Sequence, residues 1–206
     1  VATNERESID IGVYPEIKQT SHFRSVGLDV GSRVVSDLAD FGFETSDDNA
    51  LIQSFEVDVL RELNDVTDLR LVQLFGEAGA PRDQVVKNSG LTFADMATPT
   101  GLAVVAEYAD GVAAQKNRYI IPLDESGALD ESATTSFVDD AHAASLFVHA
   151  YTFRAENQFL PTDFRSTGGN DTVGDVVGEI EAFIRAGIDG FFIDHVDLGR
   201  AAVSTD

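Results

Sequence analysis

Two charged residues, Glu16 and Lys18, follow an apolar run near the start of the sequence. The run at residues 9–13 predicts a buried strand, which leads directly into Tyr14-Pro15-Glu16-Ile17-Lys18. Successive side chains alternate between the two faces of a strand, so we expect Glu16 and Lys18 to point the same way. A hard divalent cation prefers carboxylate oxygens, and an ammonium group can hold a phosphate oxygen. Glu16 is therefore a candidate metal ligand, and Lys18 a candidate catalytic residue that holds a phosphate oxygen or stabilises charge developing on it, unless the two only pair with each other.

A second candidate group closes an apolar run near residue 150. Alternation along a strand predicts that Tyr151 and Phe153 share one face, whereas Thr152 and Arg154 share the other. One interpretation is an aromatic wall beside a substrate. The other is a packed core with a surface arginine. The spacing alone favours the packed core slightly over the aromatic wall.

The four histidines show no spacing typical of a catalytic triad or a metal site. His142 falls in a predicted helix and His149 inside an apolar strand, so both are predicted to be structural. His22 follows the Glu16 segment and could line the mouth of a site. His195 follows the last predicted strand and is a further candidate for a substrate contact.

These candidates are positioned by an alternation of apolar strands and amphipathic helices. The predicted strands are the run that ends near Glu16 and residues 51–55, 69–75, 110–114, 146–153 and 190–193. The predicted helices are residues 30–41, 57–63, 101–108, 131–145 and 173–184, with residues 81–100 as a long loop containing a helical turn. Buried strands joined by helices indicate parallel pairing.

An open doubly wound sheet and a closed (β/α)8 TIM barrel both fit this alternation. No glycine-rich phosphate loop follows any predicted strand. Polar residues do lie at the ends of several strands, among them Gln53, Gln73, Lys116 and Asp194. Barrel enzymes build their sites in this way, so we favour an α/β TIM barrel. Six strands cannot close an eight-stranded barrel, and the barrel is therefore expected to be incomplete, without its first two βα units.

The composition argues against several kinds of partner and against a membrane span. The 206 residues, 43% of them apolar, suit one domain or part of a larger one. Thirty-six acidic residues against 14 basic ones give a formal charge of −22, which disfavours nucleic acid and anionic membranes as partners. There is no cysteine, and no apolar stretch could span a membrane. An acidic, lysine-poor surface fits a high-salt or extracellular habitat, and we expect a periplasmic or extracellular protein.

The ordered set of segments resembles the glycerophosphodiester phosphodiesterase family, particularly its periplasmic-type and plant-type members. The matching segments are Val13-Tyr14-Pro15-Glu16-Ile17-Lys18, Leu51-Ile52-Gln53-Ser54-Phe55, Tyr108-Ala109-Asp110-Gly111-Val112, Ala141-His142, His149-Ala150-Tyr151-Thr152-Phe153-Arg154-Ala155-Glu156-Asn157 and Gly187-Ile188-Asp189-Gly190-Phe191-Phe192-Ile193-Asp194. By resemblance, all of residues 1–206 form the carboxyl-terminal portion of one such domain, covering barrel strands three to eight.

The resemblance implies metal-dependent hydrolysis of glycerophosphodiesters to glycerol 3-phosphate and an alcohol. Glu16 matches a carboxylate ligand to Ca²⁺ or Mg²⁺, and Lys18 matches the lysine close to the substrate phosphate. Tyr151 stands where the family has a pocket-lining aromatic. Four further residues lie in matching motifs and are expected to bind the small-molecule substrate: Gln53, Lys116, Phe153 and Arg154.

Two departures from the family pattern qualify this expectation. The last strand continues as Ile193-Asp194-His195-Val196-Asp197, where the family usually has Thr-Asp-Asn-Pro-Asp. No counterpart of the family's His-Arg-Gly strand, of its second-strand Glu-x-Asp metal pair or of its second catalytic histidine precedes the Glu16 segment in this sequence. We therefore expect the chain to need a preceding barrel segment as its partner and to be inactive alone. The alternatives are a non-catalytic binding protein and a lysophospholipase D-type activity on the same barrel.

Overall fold

The computed structural model describes residues 11–204, which divide into two compact units between residues 112 and 113. The first contains α1 (Thr20–Ser25), α2 (Val30–Asp40), β1 (Leu51–Ser54), α3 (Val57–Asn64), β2 (Arg70–Phe75), α4 (Arg82–Val86), α5 (Phe93–Met96), α6 (Pro99–Val105) and the start of β3 (Gly111–Gln115). Its strand order is β1-β2-β3. The prediction of a single domain over residues 1–206 stays a prediction.

β1 and β2 form the parallel pair at the centre of the first unit, with Leu51 opposite Arg70 and Ser54 opposite Gln73. Ile52, Leu71 and Val72 are buried. α3 packs on both strands through a buried face that includes Leu60 and Leu63. Strands buried in this way need helices that cover them, and the α/β fold supplies them.

The segment before α1 differs from the predicted buried strand. Residues 9 and 10 lie outside the described residues, and Ile11 is 60% exposed. Val13 and Glu16 form two isolated parallel bridges, to Ala50 and Gln53. Pro15 lies between them and has no N–H to donate, so the ladder is interrupted at that position.

The predicted loop at residues 81–100 is instead helical along much of its length. It holds α4, α5 and the first residues of α6. Thr92 and Asp95 form a reciprocal capping box at the start of α5. α6 has Pro99 in its first turn and begins two residues before the predicted Gly101, because Thr98 caps it through the N–H of Gly101.

The second unit contains the end of β3, α7 (Lys116–Tyr119), α8 (Phe137–Ala143), β4 (Phe147–Phe153), α9 (Val176–Arg185), β5 (Gly190–Ile193) and α10 (Val196–Val203), with two short 3₁₀ turns. Its strand order is β3-β4-β5, and β4 pairs with β5 in parallel. The predicted helix at residues 131–145 is shorter, with a 3₁₀ turn at Glu131–Ala133 before α8. No helix within residues 11–204 is long and apolar enough to cross a bilayer.

Candidate functional site

Glu16 and Lys18 form an ion pair in the first unit. The Lys18 Nζ lies 2.6 Å from Glu16 Oε2, with the lysine side chain 70% exposed and the glutamate side chain 24% exposed. Both side chains therefore point the same way, as alternation predicts. The ion pair that the sequence left as an alternative is present, and an exposed pair of this kind contributes little to stability.

Gln53 of β1 holds the Glu16 segment in place through hydrogen bonds from its backbone and its side chain. Its N–H donates to the carbonyl of Pro15 at 3.0 Å, and its carbonyl accepts from the N–H of Ile17 at 2.8 Å. The side chain is buried and donates to the carbonyl of Tyr14 at 3.3 Å. Gln53 thus fixes the backbone that carries Glu16 and Lys18.

Tyr14, in the same segment, is a neutral phenol, because burial raises its pKa.

A cavity of about 240 Å³ opens beside the ion pair in the first unit. Its lining residues are Glu16, Ile17, Lys18, Gln19, Ser54, Phe55, Glu56 and Arg82. The buried Glu56 carboxylate accepts hydrogen bonds from the Thr20 hydroxyl at 2.5 Å, the Ser21 N–H at 2.7 Å and the Ser21 hydroxyl at 3.1 Å. These bonds attach the start of α1 to the end of β1 and so shape one wall of the cavity.

Glu16 is the carboxylate in this cavity that the sequence nominates for a metal ion. Within residues 11–204, no three histidine, aspartate or glutamate side chains form a cluster that could hold one. Divalent cations of the Ca²⁺ and Mg²⁺ kind take several oxygen ligands. Two carboxylates line the cavity, but that of Glu56 already accepts three hydrogen bonds, so the described residues do not by themselves fit a complete metal site.

In the second unit, Lys116 begins α7 directly after β3 and is buried rather than exposed at a strand end. It forms an ion pair and hydrogen bond with Glu179 of α9, which is completely buried. Its Nζ also lies 4.3 Å from the centre of the Phe153 ring. Burial lowers the pKa of Lys116 and raises the pKa of Glu179, and in each case the partner's charge opposes the shift.

The prediction that Tyr151 and Phe153 share a face is wrong. The β4–β5 register shifts between Ala150 and Phe153, which breaks the simple alternation. Phe153 is fully buried against Phe183 of α9, whereas Tyr151 is half-buried beside Phe192.

Arg154 is partly exposed at the end of β4. It pairs with Asp194 at 3.0 Å, and its guanidinium lies 4.8 Å from the centre of the Phe159 ring. The aspartate follows β5, so the ion pair joins the carboxyl ends of two neighbouring strands. A substrate anion would have to compete with Asp194 for this arginine.

The histidines lie apart from these ion pairs. His142 contacts Asp189 at 2.8 Å, and His149 lies against Phe147 with ring centres 4.8 Å apart, so both have structural contacts as expected. His22 stacks edge-on with Phe23. His195 precedes α10, and its Nδ1 is buried without a hydrogen-bond partner among the described residues.

Comparison with known proteins identifies the family. The sequence model of the glycerophosphoryl diester phosphodiesterase family matches residues 4–198. The chain belongs to this family. Two curated relatives bear the name glycerophosphodiester phosphodiesterase. The Haemophilus influenzae protein is 26% identical over 200 residues, with 92% of this chain and 51% of that protein covered. The Arabidopsis thaliana protein, GDPD6, is 25% identical over 197 residues, with 89% and 49% covered.

A solved structure with a similar fold is that of an Oleispira antarctica phosphodiesterase in complex with the product sn-glycerol-3-phosphate. Its structure matches all of this chain and 59% of its own, with a TM-score of 0.52 and 13% identity. At this identity the likeness concerns the fold alone. The chain spans about half the length of the two curated family members.

Three residues with clear structural positions were missed by sequence reasoning. Glu179 lies on the apolar stripe of α9, three residues from Val176 and one from Ile180. An acid on the buried face of a helix signals a buried partner, and this signal was available. Glu56 and Arg82 border the cavity because α4 packs against α1 and α3, and no local pattern indicates that proximity.

Proposed function

We propose that the protein carrying this chain hydrolyses glycerophosphodiesters to glycerol 3-phosphate and an alcohol in a TIM barrel. Family membership and the names of the curated relatives support this reaction. The observation that carries the proposal is the Glu16–Lys18 pair, held by Gln53 at the edge of a cavity in the first unit. A carboxylate and an ammonium at one cavity suit a substrate that carries a phosphate.

The proposal includes a divalent cation, Ca²⁺ or Mg²⁺, with Glu16 as one of its ligands. Such a cation polarises a phosphoryl oxygen. Because the described residues offer there only Glu16 and the hydrogen-bonded Glu56, we propose that the other ligands and the acid–base histidines come from a preceding barrel segment. On this proposal, residues 1–206 alone do not hydrolyse the diester. A periplasmic or extracellular location is part of the same proposal and can be tested by cell fractionation.

The chain's own residues have distinct proposed roles. Lys18 is exposed and can exchange its glutamate partner for a phosphoryl oxygen, where it would stabilise developing negative charge. Tyr151 and Arg154 are partly exposed and stay predicted substrate-binding residues. Gln53, Lys116 and Phe153 are buried and would act through the residues they support.

The test measures release of glycerol 3-phosphate from glycerophosphocholine by the complete protein, with and without a chelator. We expect chelation and Glu16→Gln to remove the activity, and Lys18→Met to lower kcat by roughly 10²- to 10³-fold. Glu62→Gln is the control, because Glu62 is an exposed glutamate paired with Arg24 outside the cavity.

The outcomes also separate the alternative functions. Near-full activity of Glu16→Gln, with unchanged response to the chelator, would show that Glu16 is not a ligand. Binding of glycerol 3-phosphate without turnover of any diester would favour the non-catalytic binding protein. Preferential release of a lysophospholipid's alcohol would favour the lysophospholipase D-type activity.

A further inference from the structure

Arg82 lines the same cavity as the Glu16–Lys18 pair and has no role so far. It is the first residue of α4, in the connection that follows the carboxyl end of β2. Its side chain is exposed, and it reaches the cavity from a different element than Lys18 does. The cavity therefore has two cations on two separate walls.

The residues that follow Arg82 fix its backbone in place. Asp83 is buried, and its Oδ2 accepts the N–H of Asp58 at the start of α3 at 2.7 Å. Gln84 donates to the same oxygen at 3.0 Å and to the Asp58 carboxylate at 3.2 Å. α4 is thus tied to the first turn of α3, and the position of Arg82 is set before any ligand binds.

The charge environment distinguishes Arg82 from the lysines. Each of the three lysines has a carboxylate partner: Lys18 has Glu16, Lys87 has Asp58 and Lys116 has Glu179. Arg82 forms no ion pair or hydrogen bond through its side chain with any residue in the described range 11–204. Arg200 is likewise without a described partner for its side chain, but it does not line the cavity.

We propose that Arg82 is a phosphate-binding residue that holds the phosphoryl oxygens of the substrate and of glycerol 3-phosphate together with Lys18. The proposal rests on the proposed function of the cavity. A guanidinium presents a planar fork of donors that matches two phosphate oxygens, whereas an ammonium acts as a point charge. Lys18 has to leave Glu16 to reach the ligand, but Arg82 gives up no ion pair with a described residue.

The test uses the complete protein and two readouts, calorimetric binding of glycerol 3-phosphate and hydrolysis of glycerophosphocholine. Arg82→Gln is expected to weaken binding of glycerol 3-phosphate tenfold or more, about 1.4 kcal/mol, and to raise KM. Arg82→Lys is expected to restore part of the affinity, because it keeps the charge and loses the fork. Arg200→Gln is the matched control: Arg200 is exposed in α10, its side chain has no described partner, and its removal changes the net charge equally.

The results separate this inference from the proposed function. Equal binding of glycerol 3-phosphate by the wild type and Arg82→Gln would overturn the inference, as would equal losses in Arg82→Gln and Arg200→Gln or no binding by the wild type. A third result would support the phosphate site and refute the proposed reaction. In that case the wild type binds glycerol 3-phosphate but hydrolyses no glycerophosphodiester, and Arg82→Gln loses this binding whereas Arg200→Gln keeps it. Thermal unfolding of each variant verifies that it is folded.

Discussion

Removing either partner of the buried Lys116–Glu179 pair gives the most quantitative prediction of the structure. The two side chains are 5% and 0% exposed, so neither charge can turn to water when its partner is lost. Breaking a buried ion pair on one side typically costs about 3–5 kcal/mol. For each partner, the cost at a given pH follows from the free energy needed to neutralise the charge that remains buried.

In Lys116→Met, Glu179 would lie buried without its counter-ion and take up a proton on folding. Protonating a glutamate of ordinary pKa about 4.3 at pH 7 costs about 3.7 kcal/mol, at about 1.36 kcal/mol per pH unit. The raised pKa of Glu179 in the folded state means that this cost appears as pH rises above the unfolded-state pKa. We therefore expect the stability deficit of Lys116→Met to shrink to about 1 kcal/mol at pH 5.

Glu179→Gln should show the opposite dependence. Lys116 without its carboxylate would lose its proton on folding, which costs about 4.6 kcal/mol at pH 7 for an ordinary pKa near 10.4. The lowered pKa of Lys116 means that this cost declines as pH rises, to about 1.9 kcal/mol at pH 9. The two single substitutions thus have pH slopes of opposite sign.

The assay is urea unfolding of the complete protein and its variants at pH 5, 7 and 9. The double variant Lys116→Met/Glu179→Leu should recover most of the stability and show neither slope, because an apolar pair needs no charge compensation. Lys87→Met is the control, since Lys87 pairs with Asp58 at 2.6 Å but is 59% exposed, and it should cost under about 1 kcal/mol.

If both single variants lose stability by an amount that does not change with pH, the reasoning is refuted, because the loss then reflects packing rather than charge. Full stability of Lys116→Met at pH 7 with weakened substrate binding would refute it differently. That result would show that Lys116 leaves Glu179 to bind the substrate, as the sequence predicts.

Two further substitutions test the frame of the cavity. Burial raises the pKa of Asp83, so the wild type should lose stability from this group as pH rises from 4 to 7. The stability of Asp83→Asn relative to the wild type, measured by urea unfolding, should therefore increase from pH 4 to pH 7. A stability difference that does not change with pH would contradict this. Glu56→Ala should cost about 1–3 kcal/mol, because the buried Thr20 hydroxyl and the N–H of Ser21 would lose their acceptor. Hydrogen exchange should then rise in α1 but not in β2, and uniform exchange would contradict a local role.

The strands could be predicted from the sequence because each contains a short apolar run. Residues 190–193 are β5 as predicted, and the predictions at 51–55 and 69–75 differ from β1 and β2 by one residue. A strand that is buried on both faces is rich in apolar residues, so it can be recognised from its own sequence. The amphipathic stripe of α9 was equally clear, although the helix begins at Val176 rather than at residue 173.

Other features depend on contacts that no local pattern encodes. α1 was not predicted, and Glu56, 35 residues away, binds its first turn. α10 lies against α9 and was also missed. The burial of Phe153 follows from a register shift against β5. The capping box at Thr92 and Asp95 was visible in the sequence, and the helix it begins could have been predicted.

The distribution of ion pairs argues that the proposed phosphate binding depends on where a cation lacks a carboxylate partner. With 36 acidic residues against 14 basic ones, a substrate anion must compete with carboxylates for most lysines and arginines. Lys18 and Arg154 both have such competitors, Glu16 and Asp194. Arg82 has none among the described residues, so its contribution to binding is not offset by a broken pair. Loss of Arg82 should accordingly act mainly on affinity, whereas loss of Lys18 should act mainly on turnover.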